Sequence, residues 1–378
     1  MDDSCSIRND ALESPRRSAE SGGREQGRTH RPSVQDRKTE PRMSSRDLSR
    51  RAALGRTLGL AALAAPFVAT SRPARSQAGW PTRPVTLVVG FPPGGQTDFA
   101  ARIVQPGIGK VLGQTLVIEN RGGAGGNLAT EVVVRAKPDG YTLMASNSSP
   151  MAINPHTFPN MTVNPLEMVN IGLALRSAMV LCVHPSVPAR NIAEFTAWVK
   201  AQKDIPDYGI ASAGSLSHCT SELFRARAGL PAMQSIPYRG SGPAMQDFIA
   251  GRFPMMFDAA SVVAPFVKAN QIRAIMVTSE KRVPAFPDAA TAQEQGLDDF
   301  IVSSWIGISG PRGTPPEVVA RVNAALNEAL SDPAVRDRIT SQGDEPGGGT
   351  PESFDKLVRS DHARWGQVVK ANNITSAG

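Results

Sequence analysis

Val85-Thr86-Leu87-Val88-Val89-Gly90-Phe91-Pro92-Pro93-Gly94-Gly95-Gln96-Thr97-Asp98 joins three structural signals in one short stretch. The β-branched and leucine run predicts a buried strand over 85–89. Prolines and glycines then force a loop, and the apolar positions Ile103, Ile108 and Leu112 predict a helix over 97–112. A strand that turns through Gly-Gly into a helix is the opening unit of an α/β fold. Glycines at a helix start let backbone N–H groups turn toward a ligand, and the helix dipole favours negative charge there. The Gly94-Gly95 loop is thus a candidate anion site, and Asp98, one turn in, suits a helix start about as well as a ligand role. Strand-Gly-Gly-helix alone is shared by many α/β proteins.

Working outward, further strands are predicted over 116–119 and 141–145, with a helix over 127–136 between them. A second α/β series begins near Asn191. Its helices are expected over 192–203, 217–228 and 243–249, and its strands over 208–211, 234–237, 255–257 and 272–277. Two helices follow, over 315–330 with Thr314 as N-cap and prolines in the first turn, and over 351–370. A helical tail after the second series predicts a return to the first domain.

The joins between strands and helices hold the candidate chemistry. The glycine cluster 121–127 is not a dinucleotide fingerprint, because position 128, where the third glycine belongs, is leucine; it reads as a tight turn. Ser212-Ala213-Gly214-Ser215-Leu216-Ser217-His218 offers hydroxyls and amides to an anion at another helix start. A hydrolase could use a serine and His218, but G-x-S-x-G is absent and no third triad member is indicated, so His218 is read as a helix-start partner. Tyr238-Arg239-Gly240-Ser241-Gly242 and Phe257-Asp258 also close strands. Crevices of α/β sheets lie beyond the carboxyl ends of their strands, which directs all these loops to one place.

The 378 residues suit one large or two ordinary domains, with a formal charge of +7. Residues 1–78 hold 15 Lys+Arg against 9 Asp+Glu, leaving 26 against 25 for residues 79–378. The body is nearly neutral and lacks the footprint of a nucleic-acid binder. Residues 1–42 are polar and read as a disordered or untranslated extension. Residues 43–78 have the layout of an export signal: Ser49-Arg50-Arg51, then an apolar run over 58–69 too short to span a bilayer. The arginine pair resembles a twin-arginine signal, with an ordinary secretory signal as the other reading, and small residues place cleavage near Ala78. Cys182 and Cys219 remain after cleavage; Cys182 sits in an apolar run and reads as a buried thiol, and a disulfide between the two stays open.

Short pieces in a fixed order carry a more specific message. They are W-P-T-R-P-V from Trp80, F-P-P-G-G-Q-T-D from Phe91, E-N-R-G-G-A-G-G-N from Glu119, K-P-D-G-Y-T-L from Lys137 and A-I-N-P from Ala152. Further on come G-S-L-S-H from Gly214, P-Y-R-G-S-G-P-A from Pro237, M-F-D from Met256, V-T-S-E-K-R from Val277, S-W-I-G from Ser304 and G-T-P from Gly313. With these pieces, from Trp80 to about Ile374, the chain resembles the Bug-type receptors of tripartite tricarboxylate transporters. The resemblance implies an α/β fold of the periplasmic-binding-protein type II kind, with a ligand cleft between two α/β lobes. Lobe 1 is expected from 79–181 and 305–378, lobe 2 from 182–304. It implies a small carboxylate held by backbone amides of two facing loops, with bridging waters and no obligatory arginine. Carried over by position, one loop is Pro93, Gly94, Gly95, Gln96, Thr97 and Asp98, and the other Gly214, Ser215, Ser217 and His218. The stretch 146–149 (Ser146, Asn147, Ser148 and Ser149), Tyr238 and Asp258 line the rest. The implied partners are the transporter's membrane subunits, for a periplasmic monomer with no cofactor, metal or catalytic residue. Departures such as Pro150 and Met255-Met256 leave the ligand's identity open. A periplasmic sensor and, further off, an exported hydrolase are the alternatives.

Overall fold

A computed structural model describes residues 79–376; the extension, the export signal and its cleavage point lie outside the described residues. The first half holds β1 (Val85–Val89), α1 (Gln96–Leu112), β2 (Leu116–Asn120), α2 (Asn127–Val134) and β3 (Thr142–Asn147). A short helical stretch (Ser149–Ile153) and α3 (Asn154–Thr157) lead to the long strand β4 (Val169–Val183). The second half holds α4 (Ile192–Lys200), β5 (Tyr208–Ile210), α5 (Leu216–Arg227), β6 (Ser235–Pro237), α6 (Ser241–Ile249) and β7 (Met255–Ala259). It continues through α7 (Ala260–Lys268), β8 (Arg273–Val277) and β9 (Ala290–Thr291). The return comprises β10 (Ser303–Gly310), α8 (Pro316–Ser331), α9 (Pro333–Thr340), β11 (Asp344–Pro346) and α10 (Pro351–Ala371).

The main strand order is β2-β1-β3-β10-β4-β7-β5-β6, with β11 and β8 also paired to β4 and β9 paired to β8. Each half contains three parallel strands in the order second-first-third, β2-β1-β3 and β6-β5-β7. Both triplets therefore reverse direction of progress beside their first strand, and at such a point the two flanking loops part to leave a crevice. Antiparallel β4 and β10 lie between the triplets. Residues 169–178 of β4 pair with β10, and residues 179–183 pair with β7, so one strand serves both halves.

Strands buried on both faces read as continuous apolar runs, which is why β1 was legible. Val85, Leu87 and Val89 pack with Ile103, Val104 and Ile108 of α1 and with Val322 and Leu326 of α8. The helices α1 and α8 approach closely at Gly107, where an added Cβ would lie 2.5 Å from that of Ala329. On the other face of the sheet Trp305, Phe354, Val358 and Trp365 are buried together. Each such large apolar side chain contributes about 1.5–3 kcal/mol when removed from water.

The predicted α/β class holds, and the predicted strands and helices that begin these units fall within a few residues of the observed ones. Three differences matter. β4 begins at Val169, far upstream of the apolar run around Cys182, because Asn170, Gly172 and Arg176 dilute its apolar signal. The helix α7 was not expected; it is short and carries Pro265. Thr314 does not cap α8: Pro315 occupies the N-cap position, and the Thr314 hydroxyl instead donates to the Pro311 carbonyl at 2.7 Å. Cys182 and Cys219 are both buried free thiols. Among the described residues no helix is long and apolar enough to cross a membrane.

Candidate ligand-binding cleft

The two crevices face one another. Phe91, Gly95, Gln96 and Thr97 after β1, and Asn147, Ser148 and Ser149 at the end of β3, form one wall. Ala211, Ser215, Leu216 and Ser217 after β5, Asp258 and Ala259 at the end of β7, and Ser241 form the other; Met179 of β4 and Ser304 of β10 complete the lining. The space between the walls is about 70 Å³ and is partly open to solvent. One water needs roughly 10–15 Å³ by this measure, so a carboxylate head with a few waters or carbon atoms fits.

Four helices begin at this cleft: α1 at Gln96, α5 at Leu216, α6 at Ser241 and α7 at Ala260. The first backbone N–H groups of a helix have no partner within it. In α1 the intrahelical bonding starts with Phe99 N–H to Gly95 O, so the N–H groups of Gln96 and Thr97 precede it. In α5 it starts with Cys219 N–H to Ser215 O, ahead of which stands Ser217. No lining residue is Arg or Lys. The positive potential of this space therefore comes from helix dipoles and amides, as at other anion sites on helix N-termini.

The walls already touch. Ser149 Oγ accepts from Leu216 N–H at 3.2 Å, and Thr157 Oγ1 donates to the Gly214 carbonyl at 3.1 Å. Side-chain orientation is fixed from behind: Asn147 Nδ2 donates to Thr97 Oγ1 at 2.8 Å, Ser304 Oγ to Gln96 Oε1 at 2.6 Å, and Ser217 Oγ accepts from Ala211 N–H at 3.0 Å.

Of the expected site residues, Gly95, Gln96, Thr97, Ser148, Ser149, Ser215, Ser217 and Asp258 line the cleft. The others stand behind or beside it. Pro93 has no N–H to offer, and the Gly94 N–H is turned to the Asp98 carboxylate at 3.2 Å, with Gly94 at φ +90°. Asp98 braces that loop: it accepts from Arg102 at 2.8 Å and from Asn120 at 3.0 Å. Burial alone would raise its carboxyl, but these hydrogen bonds and the Arg102 charge outweigh burial and hold it below the ordinary value. His218 Nδ1 accepts the Gly214 N–H at 3.0 Å, and burial lowers its imidazole, favouring the neutral form. The ring thus braces its loop, as a helix-start partner. Tyr238 turns toward Phe253 and donates to Asp247 at 2.6 Å. Ser146 bonds Ser309 across the sheet at 2.8 Å, while its neighbour Asn147 faces the cleft; successive strand residues point to opposite faces.

Sequence reasoning passed over Ser304 as a lining residue; Asn147 lay within the expected wall 146–149, and Ser241 within the loop 238–242 expected to reach the same face. Nothing local marks Ser304, which reaches the site only because β10 returns beside β3. The glycine turn after β2 supports the site from outside: Gly125 and Gly126 adopt positive φ, and a Cβ added at Gly126 would lie 3.2 Å from the Phe91 ring.

Two α/β halves with switch-point crevices meeting over a shared strand constitute the fold of the periplasmic binding proteins. The chain belongs to the tripartite tricarboxylate transporter receptor family, whose model matches residues 100–374. It is 32% identical to protein BugT of Bordetella pertussis, over 84% of this chain and 96% of that one. Among solved structures, MatC of Rhodopseudomonas palustris with bound malate is 33% identical, with a TM-score of 0.73 over 76% of this chain and 99% of MatC. A second R. palustris protein, solved with adipate, is 32% identical, with a TM-score of 0.76 over 78% of this chain and 99% of its own.

Proposed function

We propose that the protein is exported, cleaved near Ala78, and acts in the periplasm as a monomeric receptor that clamps a small carboxylate and delivers it to the membrane subunits of a tripartite tricarboxylate transporter. The observation that carries this reading is the convergence of four helix N-termini on a buried cleft with no lining cation. The malate and adipate held by relatives support the ligand class. The lobes are taken as residues 79–178 with 303–378, and 179–302; the handover inside β4 between Ala178 and Met179 favours boundaries slightly earlier than 181/182 and 304/305. A reading of binding without turnover is supported by the engagement of His218 Nδ1 and the Ser215 hydroxyl with backbone groups of their own loop.

Native mass spectrometry of freshly purified protein, followed by calorimetric titration of C3 to C6 mono- and dicarboxylates, tests the ligand class. One-to-one binding with unchanged ligand is expected; failure of every carboxylate to bind removes the reading. A chain started at Gly79 is expected to be a soluble, folded monomer, because the α/β elements begin with β1. Aggregation relieved by restoring residues 1–78 would move the boundary. Arg50→Lys combined with Arg51→Lys is expected to stop export, as the twin-arginine route reads that pair. Unchanged periplasmic yield would assign export to the general secretory route.

A further inference from the structure

Two buried side-chain atoms in the cleft lining have no hydrogen-bond partner, and they are of opposite kind. Gln96 Nε2 is a donor left over once Ser304 has fixed Gln96 Oε1. Asp258 Oδ2 is an acceptor left over once Asp258 Oδ1 has taken the Ala259 N–H at 2.8 Å. The two residues are 8% and 5% exposed and belong to opposite walls. Buried polar groups are almost always paired, so a mismatched pair of this kind marks what the site's occupant supplies.

We propose that the ligand is a small carboxylate bearing an O–H or N–H donor on the carbon beside its carboxyl group, with that donor seated on Asp258 Oδ2 and a carboxylate oxygen received by Gln96 Nε2. This rests on the reading of the cleft as a carboxylate site and adds the substituent that distinguishes one carboxylate from another. An unsubstituted acid satisfies Gln96 but leaves Asp258 unpaired, with a second anion against it and no lining cation to compensate. A hydroxyl or ammonium removes both penalties. Burial is the largest influence on Asp258 and raises its carboxyl to about 6, against the opposing effects of the neighbouring Ser241 hydroxyl, which lies close enough to favour the anion but makes no hydrogen bond to Oδ2, and of the Ala259 amide. At pH 7.5 it is then mainly the anionic acceptor that the donor requires. The 70 Å³ of space favours a short skeleton.

Succinate, malate and aspartate share one skeleton and differ at a single carbon by hydrogen, hydroxyl and ammonium. Titrated into the full-length protein at pH 7.5, malate or aspartate is expected to bind at least about tenfold more tightly than succinate, since sites built around a ligand donor reject the analogue that lacks it. The tighter of the two tells a hydroxyl from an ammonium. In Asp258→Asn the preference should shrink to less than about threefold, and succinate should bind as well as before or better, because an anion has been removed; a merely structural role would weaken all three. Equal binding of the three by wild type, or a preference that survives in Asp258→Asn, overturns the proposal. The wild-type series decides by itself if that variant does not fold. Tight binding of only unsubstituted acids such as adipate would sink this inference and leave the carboxylate receptor standing, whereas no binding of any carboxylate sinks both.

Discussion

Gly95→Val is expected to weaken carboxylate binding at least about tenfold and to leave the fold intact. Gly95 is the N-cap of α1 with φ −89° and ψ 172°, a conformation open to any residue. A Cβ added there meets nothing nearer than Ser241 Cβ at 4.0 Å. Ser241 lines the opposite wall, so the added group grows into the ligand's space and not into the core. The branched valine also restricts the turn that aims the first amides of α1. Loss of one charge-assisted hydrogen bond is worth about 1.5–3 kcal/mol, which sets the tenfold floor. Calorimetry with the wild-type ligand measures the loss, and thermal unfolding checks the fold. His218→Ala provides the contrast: it frees the Gly214 N–H but removes nothing from the lining, and a weakening of a few-fold is expected. Normal binding by Gly95→Val together with abolished binding by His218→Ala would reverse the assignment of these two loops.

Trp305→Ala is expected to lower the unfolding free energy by about 3–5 kcal/mol, the range for emptying a large aromatic site in a core. Trp305 is fully buried in β10, meets the Phe354 ring edge-on at 5.4 Å between centroids, and donates from Nε1 to Asp361 at 2.8 Å. The substitution therefore opens a cavity and also strips a mostly buried carboxyl of its donor. Urea unfolding followed by circular dichroism measures the change. A loss under about 1 kcal/mol would mean that β10 and α10 are not locked together through this residue.

How far the sequence disclosed this molecule depended on how each element earns its burial. The strands β1, β5 and β7 are short apolar runs ending in turn residues, and the loops after them were legible with them. β4 escaped because Asn170, Gly172, Arg176 and Ser177 interrupt its apolar run. An added Cβ at Gly172 would come within 2.9 Å of the side-chain ends of Asn323 and Leu326, so the approach of α8 favours a small residue there, a fact absent from the local sequence. The same holds for the cleft. Glycine and serine at helix starts announced Gly95 and Ser215, but whether a polar residue such as Ser146 or Asn147 faces the ligand is decided by strand register. Motif membership drew attention to Tyr238, and the packing of Phe248 and Phe253 takes it elsewhere.

The place of β10 bears on the order in which the molecule can assemble. Ser146 of β3 and Ser309 of β10 share a hydrogen bond although 163 residues separate them in the chain. Until β10 has been synthesised, β3 and the first part of β4 keep open edges, and open edges recruit other chains. Contacts between such distant residues slow folding, because the loop must close before pairing repays its entropy. A growing chain thus gains no shelter for the middle of its sheet until past residue 310, and the burden of keeping it from aggregating falls on the cell for most of its synthesis.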